Sequence, residues 1–411
     1  MRNIYFFLFI CVLLSGCKNR NISEKENMIT SEIETADSET VYFLDFERHI
    51  KNMMIDTFTI NNIAKDITFV PLETTSESLL AITNFKIEKS NDNYYISWAR
   101  GHDVNNIMEF FPNGKFNTNI IRRGQGPNEL PYAPNWTVNN NLRLLIAFHF
   151  HVGIIYSFDN KTGVKFYLKD RYDSFYPCLL NDGTIVDLPG FYSNEEYEDV
   201  NHPYMNFRNQ EGEIIRSFYY PQKRDIVQKI WEGVNSPPII SSYNLYPGYT
   251  GNALFQDVFN DTIYNIRNMD EINPYIIINS GIFTVSIQDR NNKSARNQRV
   301  YIYGIIDTKK YFFVKFVYRQ EVYTAIWDKK TMSFIATTKA DDSKEHKYVT
   351  GNLYSYGFTK YLTPANKEIL IALSCYADGK LYSMIDAEQA MEFLPNIKED
   401  DNPVLMIIDI Q

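Results

Sequence analysis

Cysteine is scarce in this sequence, with four in 411 residues. That excludes a small disulfide-stapled scaffold, and the spacing of the four matches no metal or redox motif. Positive charge is not in excess. A net charge of −9 and a pI near 5.3 leave no basic footprint for nucleic acid. The apolar run at the N-terminus, Ile4 to Leu14, is too short to span a bilayer as a stable helix. The zinc-protease, serine-hydrolase, Walker and dinucleotide-binding signatures are absent. A helical period is absent as well, except for one short segment near the C-terminus.

Aromatic residues are plentiful, with 30 Tyr and 28 Phe, which suits a pleated, half-buried surface and so β structure. The N-terminus reads as a processing signal rather than a folded element. Arg2 supplies the charge, Ile4 to Leu14 the apolar stretch, and Leu14-Ser15-Gly16-Cys17 a lipobox. Residues 1–16 are therefore expected to be cleaved, leaving Cys17 as the lipidated first residue. Several acyl chains on one cysteine hold a membrane far more firmly than one chain does. Residues 17–40 are polar and charged and read as a disordered tether. About 23 flexible residues have a root-mean-square span of roughly 25–30 Å.

From Val41 to the end, a unit of aromatic-rich strand, polar turn and strand recurs. Met108 to Phe111 is followed by Pro-Asn-Gly-Lys and Phe116. Ile154 to Phe158, Tyr204 to Phe207, Thr262 to Ile266 and Tyr323 to Trp327 each precede a similar turn. The last strand residues before the turns (Phe111, Phe158, Phe207, Ile266 and Trp327) are 47, 49, 59 and 61 apart. Those intervals approach the ~40–50 of propeller blades and are too long for sandwich strands. A glycine or Asn-Gly near the turn ends is expected to supply positive φ. A sixth unit pairs a strand over Lys367 to Ser374 with a turn at Ala377 to Lys380. A short helix from Asp386 to Leu394 follows, with Asp386 as N-cap. The expected fold for 41–411 is therefore all-β, a six-bladed β-propeller. Isolated strands at Ile67 to Leu72 and Val404 to Ile410 both join the last blade and close the ring, because an open ring would leave sheet edges bare. Cys178 and Cys375 then fall in the third and sixth blades, on opposite sides, too far apart for a disulfide.

The stretch Arg122-Arg123-Gly124-Gln125-Gly126-Pro127-Asn128-Glu129-Leu130 cannot continue a helix or a central strand. It is read as the passage from the outer edge of one blade to the next. It also resembles the glycine loop that follows the first blade in the six-bladed β-propeller lipoproteins of Bacteroidetes. Phe69 to Thr75 resembles the opening strand of that family, and Phe110 to Phe116 its first hairpin. Asn260 to Tyr264 is similar to its fourth-blade strand, and Asn402-Pro403-Val404-Leu405 to its closing strand. Asn128 departs from the pattern, standing where a second glycine is usual. The resemblance implies a propeller and an address in the cell envelope, without a firmly assigned activity. Exported members of that group tend to carry an acidic cluster directly after the lipidated cysteine. This chain lacks one, which favours an outer-membrane lipoprotein facing the periplasm.

Few residues read as chemistry. His149 and His151 flank Phe150 at a strand spacing that would place both on one sheet face. No third histidine is near in sequence, so no metal and no cofactor is expected. Gly124, Gly126, Pro127 and Glu129 are read as a structural loop, with Arg122 and Arg123 available to Glu129 or to a ligand anion. Tyr243, Tyr246 and Tyr249 sit with Pro247 and Gly248 in what reads as a long loop before the fourth blade. They are candidate ligand-stacking rings. The acidic, aromatic segment from Phe191 to Asp199 could meet a cationic partner. The resulting expectation is a lipid-anchored envelope binding protein that recognises a protein partner, as scaffold or sensor component, and is not an enzyme. Two other readings stand beside it: a glycan- or peptide-binding lipoprotein for nutrient capture, and a metal-dependent, lactonase-like hydrolase.

Overall fold

Strands that pack on both faces need apolar side chains on both sides, whereas a strand with one wet face alternates. Both patterns occur here. Ile107–Phe110 and Ile185–Pro189 are buried at every residue, whereas Thr162–Tyr167 alternates from exposed to buried. The computed structural model describes residues 40–410, apart from 56–57, 81–84, 91, 101–102, 105, 132–134, 150, 169–173, 190–202, 220–242, 258–259, 286–293, 295–296, 320 and 341–356. The signal segment, Cys17 and the tether up to residue 39 thus lie outside the described residues.

The strands form six sheets, and the chain is a six-bladed β-propeller. β1 (Tyr42–Leu44), the helix α1 (Phe46–Lys51) and β2 (Asp66–Pro71) come first. The first blade holds β3 (Phe85–Ser90), β4 (Asn93–Arg100), the two-residue β5 (Asp103–Val104), β6 (Ile107–Phe110), β7 (Phe116–Arg123) and β8 (Glu129–Leu130). The second holds β9 (Asn135–Asn139), β10 (Leu144–His149), β11 (Val152–Ser157) and β12 (Thr162–Tyr167). The third holds β13 (Ser174–Leu179), β14 (Ile185–Pro189), β15 (Pro203–Arg208) and β16 (Ile214–Tyr219). The fourth holds β17 (Tyr243–Pro247), β18 (Ala253–Asp257), β19 (Thr262–Ile266) and β20 (Ile272–Ile278). The fifth holds β21 (Tyr301–Asp307), β22 (Tyr311–Tyr318), β23 (Glu321–Asp328) and β24 (Ser333–Lys339). The sixth holds β25 (Gly357–Leu362), β26 (Glu368–Ala377), β27 (Lys380–Ile385) and β28 (Val404–Asp409).

The ring closes as expected from the termini. β2 pairs antiparallel with β28, Asp66 opposite Asp409 and Pro71 opposite Val404. The helix α2 (Ala387–Ala390) is shorter than the predicted span, but Asp386 does cap it, accepting from the Glu388 N–H. Six apolar clusters fill the six junctions between blades. Each junction also carries a polar tie. Lys86 donates to the Trp136 carbonyl, Asn139 Nδ2 to the Leu179 carbonyl at 2.8 Å, and Asn181 Nδ2 to the Thr250 carbonyl at 2.8 Å. Tyr275 donates to Asp307 Oδ2 at 3.1 Å, the Phe358 N–H to Thr324 Oγ1 at 3.0 Å, and the Ile87 N–H to Ser374 Oγ at 2.9 Å.

The outer hairpins lock the blades in one rotational sense. The outer hairpin of the first three blades meets the chain arriving from the blade before, with a glycine at the contact. A Cβ on Gly114 would lie 2.0 Å from the Pro71 carbonyl oxygen, and one on Gly163 would lie 2.6 Å from Asn128 Oδ1. One on Gly212 would lie 2.4 Å from the Phe166 ring. Gly114 and Gly212 also take the positive φ expected of these turns, at 81° each. Gly163 does not. In that hairpin Lys161 has φ 53°, and in the fifth blade Met332 has φ 54°. There Asp328 accepts from the Lys330 and Thr331 N–H groups at 2.7 and 3.2 Å, which defines the turn without glycine.

The N-terminal strap was not foreseen. β1 adds in parallel to the outer strand β20 of the fourth blade, Leu44 opposite Ile278. Asp45 caps α1 by accepting from the Arg48 N–H at 3.1 Å, and Phe46 and Ile50 are buried. Farther on, Asn61 exchanges two hydrogen bonds with the Leu362 backbone in the sixth blade, at 3.1 and 2.9 Å.

Candidate functional site

The two ends of the inner strands differ. At one end the turns between the first two strands of each blade are short: 91–92, 140–143, 180–184, 248–252, 308–310 and 378–379. In the sixth blade the turn in register with these is β26 to β27, which leaves β25 as an additional strand along β26. Side chains knit these turns together. Asn141 Nδ2 donates to Asn181 Oδ1 at 2.9 Å, and Lys89 pairs with Asp378 at 2.5 Å. The Lys309 N–H donates to the Tyr376 hydroxyl at 3.4 Å, and the rings of Tyr249 and Tyr376 meet edge-on, centroids 6.3 Å apart. At the other end run the connections between second and third strands and between blades. Four of these gaps between described strands are long in sequence, 190–202, 220–242, 279–300 and 340–356, and most of their residues lie outside the described ones.

The tyrosine candidates separate. Tyr243–Pro247 is strand β17 and not a loop, because the apolar parity of Leu245 with buried partners outweighs the turn residues that follow. Tyr246 is buried, and its hydroxyl bonds Gln256 Oε1 at 3.1 Å, so it is a core residue rather than an exposed ring. The Tyr243 side chain lies outside the described residues. Tyr249 alone reaches the rim of the short turns, half-buried. The Phe191 to Asp199 segment also lies outside the described residues.

The glycine loop holds its own glutamate. Glu129 Oε2 accepts from the Gly126 N–H at 2.8 Å, and a Cβ on Gly124 would lie 2.0 Å from that oxygen. The carboxylate therefore fills the space the two glycines leave. The Gly124 N–H reaches the Leu130 carbonyl at 2.9 Å, and Lys165 of the second blade donates to the Gly126 carbonyl at 2.7 Å. The loop is a clasp between the first and second blades, as its sequence position suggests. Arg122 and Arg123 stand exposed at its entry. His149 ends β10, while His151 lies exposed in the turn beyond it, so the strand spacing assumed for the pair does not carry through. Burial, with a smaller contribution from His151, lowers the His149 imidazole to about 4. Among the described residues no group of three or more His, Cys, Asp or Glu side chains is placed to hold a metal ion. Cys178 and Cys375 are buried thiols in the third and sixth blades, and burial pushes Cys178 up to about 12.

The buried ion pairs join residues of one blade, and two of them also touch aromatic rings of the neighbouring blade. Lys329 Nζ lies 2.6 Å from Asp307 Oδ1 and over the rings of Phe312, Tyr249 and Tyr42 at 4.2, 5.1 and 5.2 Å. Burial pushes the Asp307 carboxyl up, opposed by Lys329 and Tyr275. On the inner strand β3, Lys86 and Glu88 pair at 3.4 Å, and Lys86 lies 5.1 Å over the Trp136 ring. Arg208 and Asp187 pair at 3.1 Å inside the third blade, fully buried. The sequence marks none of these pairs, since Lys329 and Tyr42 are 287 residues apart and meet only through the strap.

The sequence matches no curated protein. Among solved structures, a protein of Bacteroides fragilis described as exported is similar over 90% of this chain and 100% of its own, at 18% identity and a TM-score of 0.61. A member of the DUF4221 family from Bacteroides vulgatus is similar over 84% of this chain and 96% of its own, at 12% identity and a TM-score of 0.47. A catalytically inactive virginiamycin B lyase from Staphylococcus aureus covers 83% of this chain and 99% of its own, at 11% identity and a TM-score of 0.41. The first of these likenesses shows the fold, and none carries an activity to this chain. The model of a domain of unknown function, DUF4934, matches residues 41–409, almost the whole propeller, and the chain belongs to that family.

Proposed function

We propose that this chain is an outer-membrane lipoprotein, anchored through Cys17 and facing the periplasm, that recognises a protein partner as a scaffold or sensor component and catalyses nothing. One observation carries the reading: the unequal ends of the ring. At one end short turns are tied to one another by side-chain bonds. At the other end the bounding strands are separated in sequence by 13, 23, 22 and 17 residues. A rigid scaffold with its long segments on one side is the usual geometry of recognition surfaces. The test is affinity capture of the tagged, lipidated protein from gently solubilised envelopes. A single stoichiometric protein partner is expected. Capture of nothing, from envelopes in which the protein is intact, overturns the reading.

A second reading, glycan or peptide binding, is favoured by Tyr249 and Tyr376, two half-buried rings that meet at the short-turn end beside Lys309. Binding of a glycan or peptide panel that is lost in Tyr249→Ala and Tyr376→Ala would support it. Equal binding by these variants and the parent would count against it.

A further inference from the structure

The outer strand of a blade presents a row of backbone N–H and C=O groups unless something lies along it. The chain itself covers two of the six outer strands. β8 lies parallel along the end of β7, and β1 lies parallel along β20 over Ile276 to Ile278. Among the described residues β2, β12, β16 and β24 have no strand on their outer side. β16 differs from all the others. None of its six side chains, Ile214-Ile-Arg-Ser-Phe-Tyr219, is buried, whereas each of the other outer strands buries at least one. Four of the six are large and apolar, and Ile214, Ile215 and Tyr219 are 39%, 49% and 51% exposed.

The features that guard a bare edge are missing from β16, which has neither lysine nor proline. Its one charge, Arg216, is turned along the sheet. The guanidinium lies 4.8 Å over the Phe218 ring, and Nη1 donates to the Met269 carbonyl and to Asp270 Oδ1, both at 3.0 Å, in the outer hairpin of the fourth blade. Ser217 donates to Asn206 Oδ1 of β15 at 2.7 Å. Both polar side chains are thus held by the chain's own groups. A bulge leaves Ile215 unmatched, between Arg216 opposite Phe207 and Ile214 opposite Arg208. β20 has the same bulge at Tyr275 and still accepts β1 on the three residues after it, so a bulge of this kind does not close an edge.

We infer that β16 pairs antiparallel with β16 of a second copy across a two-fold axis, joining two four-stranded third blades into one continuous sheet. What selects a second copy is the order of side chains in the strand. It reads apolar, apolar, polar, polar, apolar, apolar, the same from either end. A two-fold axis sets a strand against its own reverse, so this order matches apolar with apolar and polar with polar. Centred between Arg216 and Ser217, the pairing sets Ile214 against Tyr219 and Ile215 against Phe218, favourable β-branched and aromatic pairs, and Arg216 against Ser217. A register moved by one residue at the bulge, centred on Ser217, sets Ile215 against Tyr219 and again keeps the two arginines apart. The other bare edges lack this symmetry. β12 would set Val164 against Lys165 and Gly163 against Phe166, and β24 would set Phe334 against Thr338 and Ile335 against Thr337. β2 is guarded by Asp66 and Pro71 at its ends. The contact is separate from the protein partner proposed above.

Sedimentation equilibrium of the chain from residue 17 carrying Cys17→Ala, over about 1–100 μM, tests the inference. A monomer–dimer equilibrium is expected. Ile215→Lys/Tyr219→Lys puts lysines on the edge and should weaken the dimer by about tenfold or more. Ile335→Lys, at the equivalent bulge of β24, should stay within about twofold of the parent. A parent that is monomeric throughout, a dimer that the β16 variant leaves intact, or an equal loss in both variants overturns the inference. Hydrogen exchange of the parent needs no variant. The outward amides of residues 214–219 should exchange about tenfold more slowly at the highest concentration than at the lowest, with those of β24 unchanged. Exchange in β16 that does not depend on concentration overturns the inference, even where the double variant melts early.

Discussion

Lys329 and Asp307 form a buried ion pair at the junction of the fourth and fifth blades, Nζ to Oδ1 2.6 Å, inside a wall of Tyr42, Tyr249, Tyr275 and Phe312. Both side chains are almost wholly buried, at 7% and 1% exposure. Removing one partner of such a pair leaves a buried charge without compensation. Lys329→Met should therefore cost about 3–5 kcal/mol, read as a shift in the denaturant midpoint. Lys329→Met with Asp307→Leu should recover most of that loss, because replacing both charges by apolar groups is often near neutral. A double variant no better than the single one would show that the pair does not act as a unit.

His49 makes the strap sensitive to acid. Its ring stacks on Phe334, its Nε2 lies 2.9 Å from Thr337 Oγ1, and burial lowers it from 6.5 to about 4. The folded chain therefore holds His49 neutral where the unfolded chain protonates it. The stabilising effect is full above pH 6.5 and is lost as pH falls toward 4. Between pH 7.5 and 5.0 the loss is at most about 2 kcal/mol. Denaturant unfolding of the parent and of His49→Phe at the two pH values measures it. The variant should lose less than the parent, and an equal loss would place the acid sensitivity elsewhere.

Two glycines that look alike in sequence should respond differently to alanine. Gly114 has φ 81° and a Cβ there would strike the Pro71 backbone, which has little freedom to give way. Gly114→Ala should cost about 2 kcal/mol or more, the positive φ alone accounting for about 1–2. Gly163 has no such φ, and a Cβ there would meet side chains rather than backbone, Asn128 Oδ1 at 2.6 Å and Ile154 Cγ2 at 3.0 Å. Gly163→Ala should cost about 1 kcal/mol or less, and Asn128→Gly in the same chain should relieve it. Thermal melts of the four proteins decide the point.

The thiols should be inert. With Cys178 raised to about 12 and Cys375 also raised by burial, neither forms thiolate at pH 8. A thiol reagent should label neither in the native mature chain and both after denaturation. Fast labelling of one thiol in the folded protein would place it at an accessible channel wall.

What the sequence made legible was local. Asn113-Gly114 marks a hairpin because positive φ selects glycine there, and Asp386 marks a helix start because its side chain replaces a missing backbone acceptor. The closing pair of strands was legible because two isolated apolar strands at the termini must find partners. The glycine loop was legible as a passage between blades, though not as a cradle for Glu129, since that depends on how the carboxylate folds back. Tyr246 was misread because turn residues at 247 and 248 hid the strand before them. The strap and the Lys329 wall were missed because their partners are far apart in sequence. The polar turn holding Lys329 looks the same whether or not an aromatic wall awaits it.

The central claim, that the end of the ring with long connections recognises a protein partner, is tested most directly by site-specific photo-crosslinking in intact cells. A crosslinking residue would replace Tyr197 or Asp225 in the long connections, and Asp92 or Asn141 in the short turns. The account predicts one discrete protein adduct from the first pair and none from the second. Adducts from Asp92 or Asn141 alone, or none from any position in a correctly folded and exported protein, would contradict it.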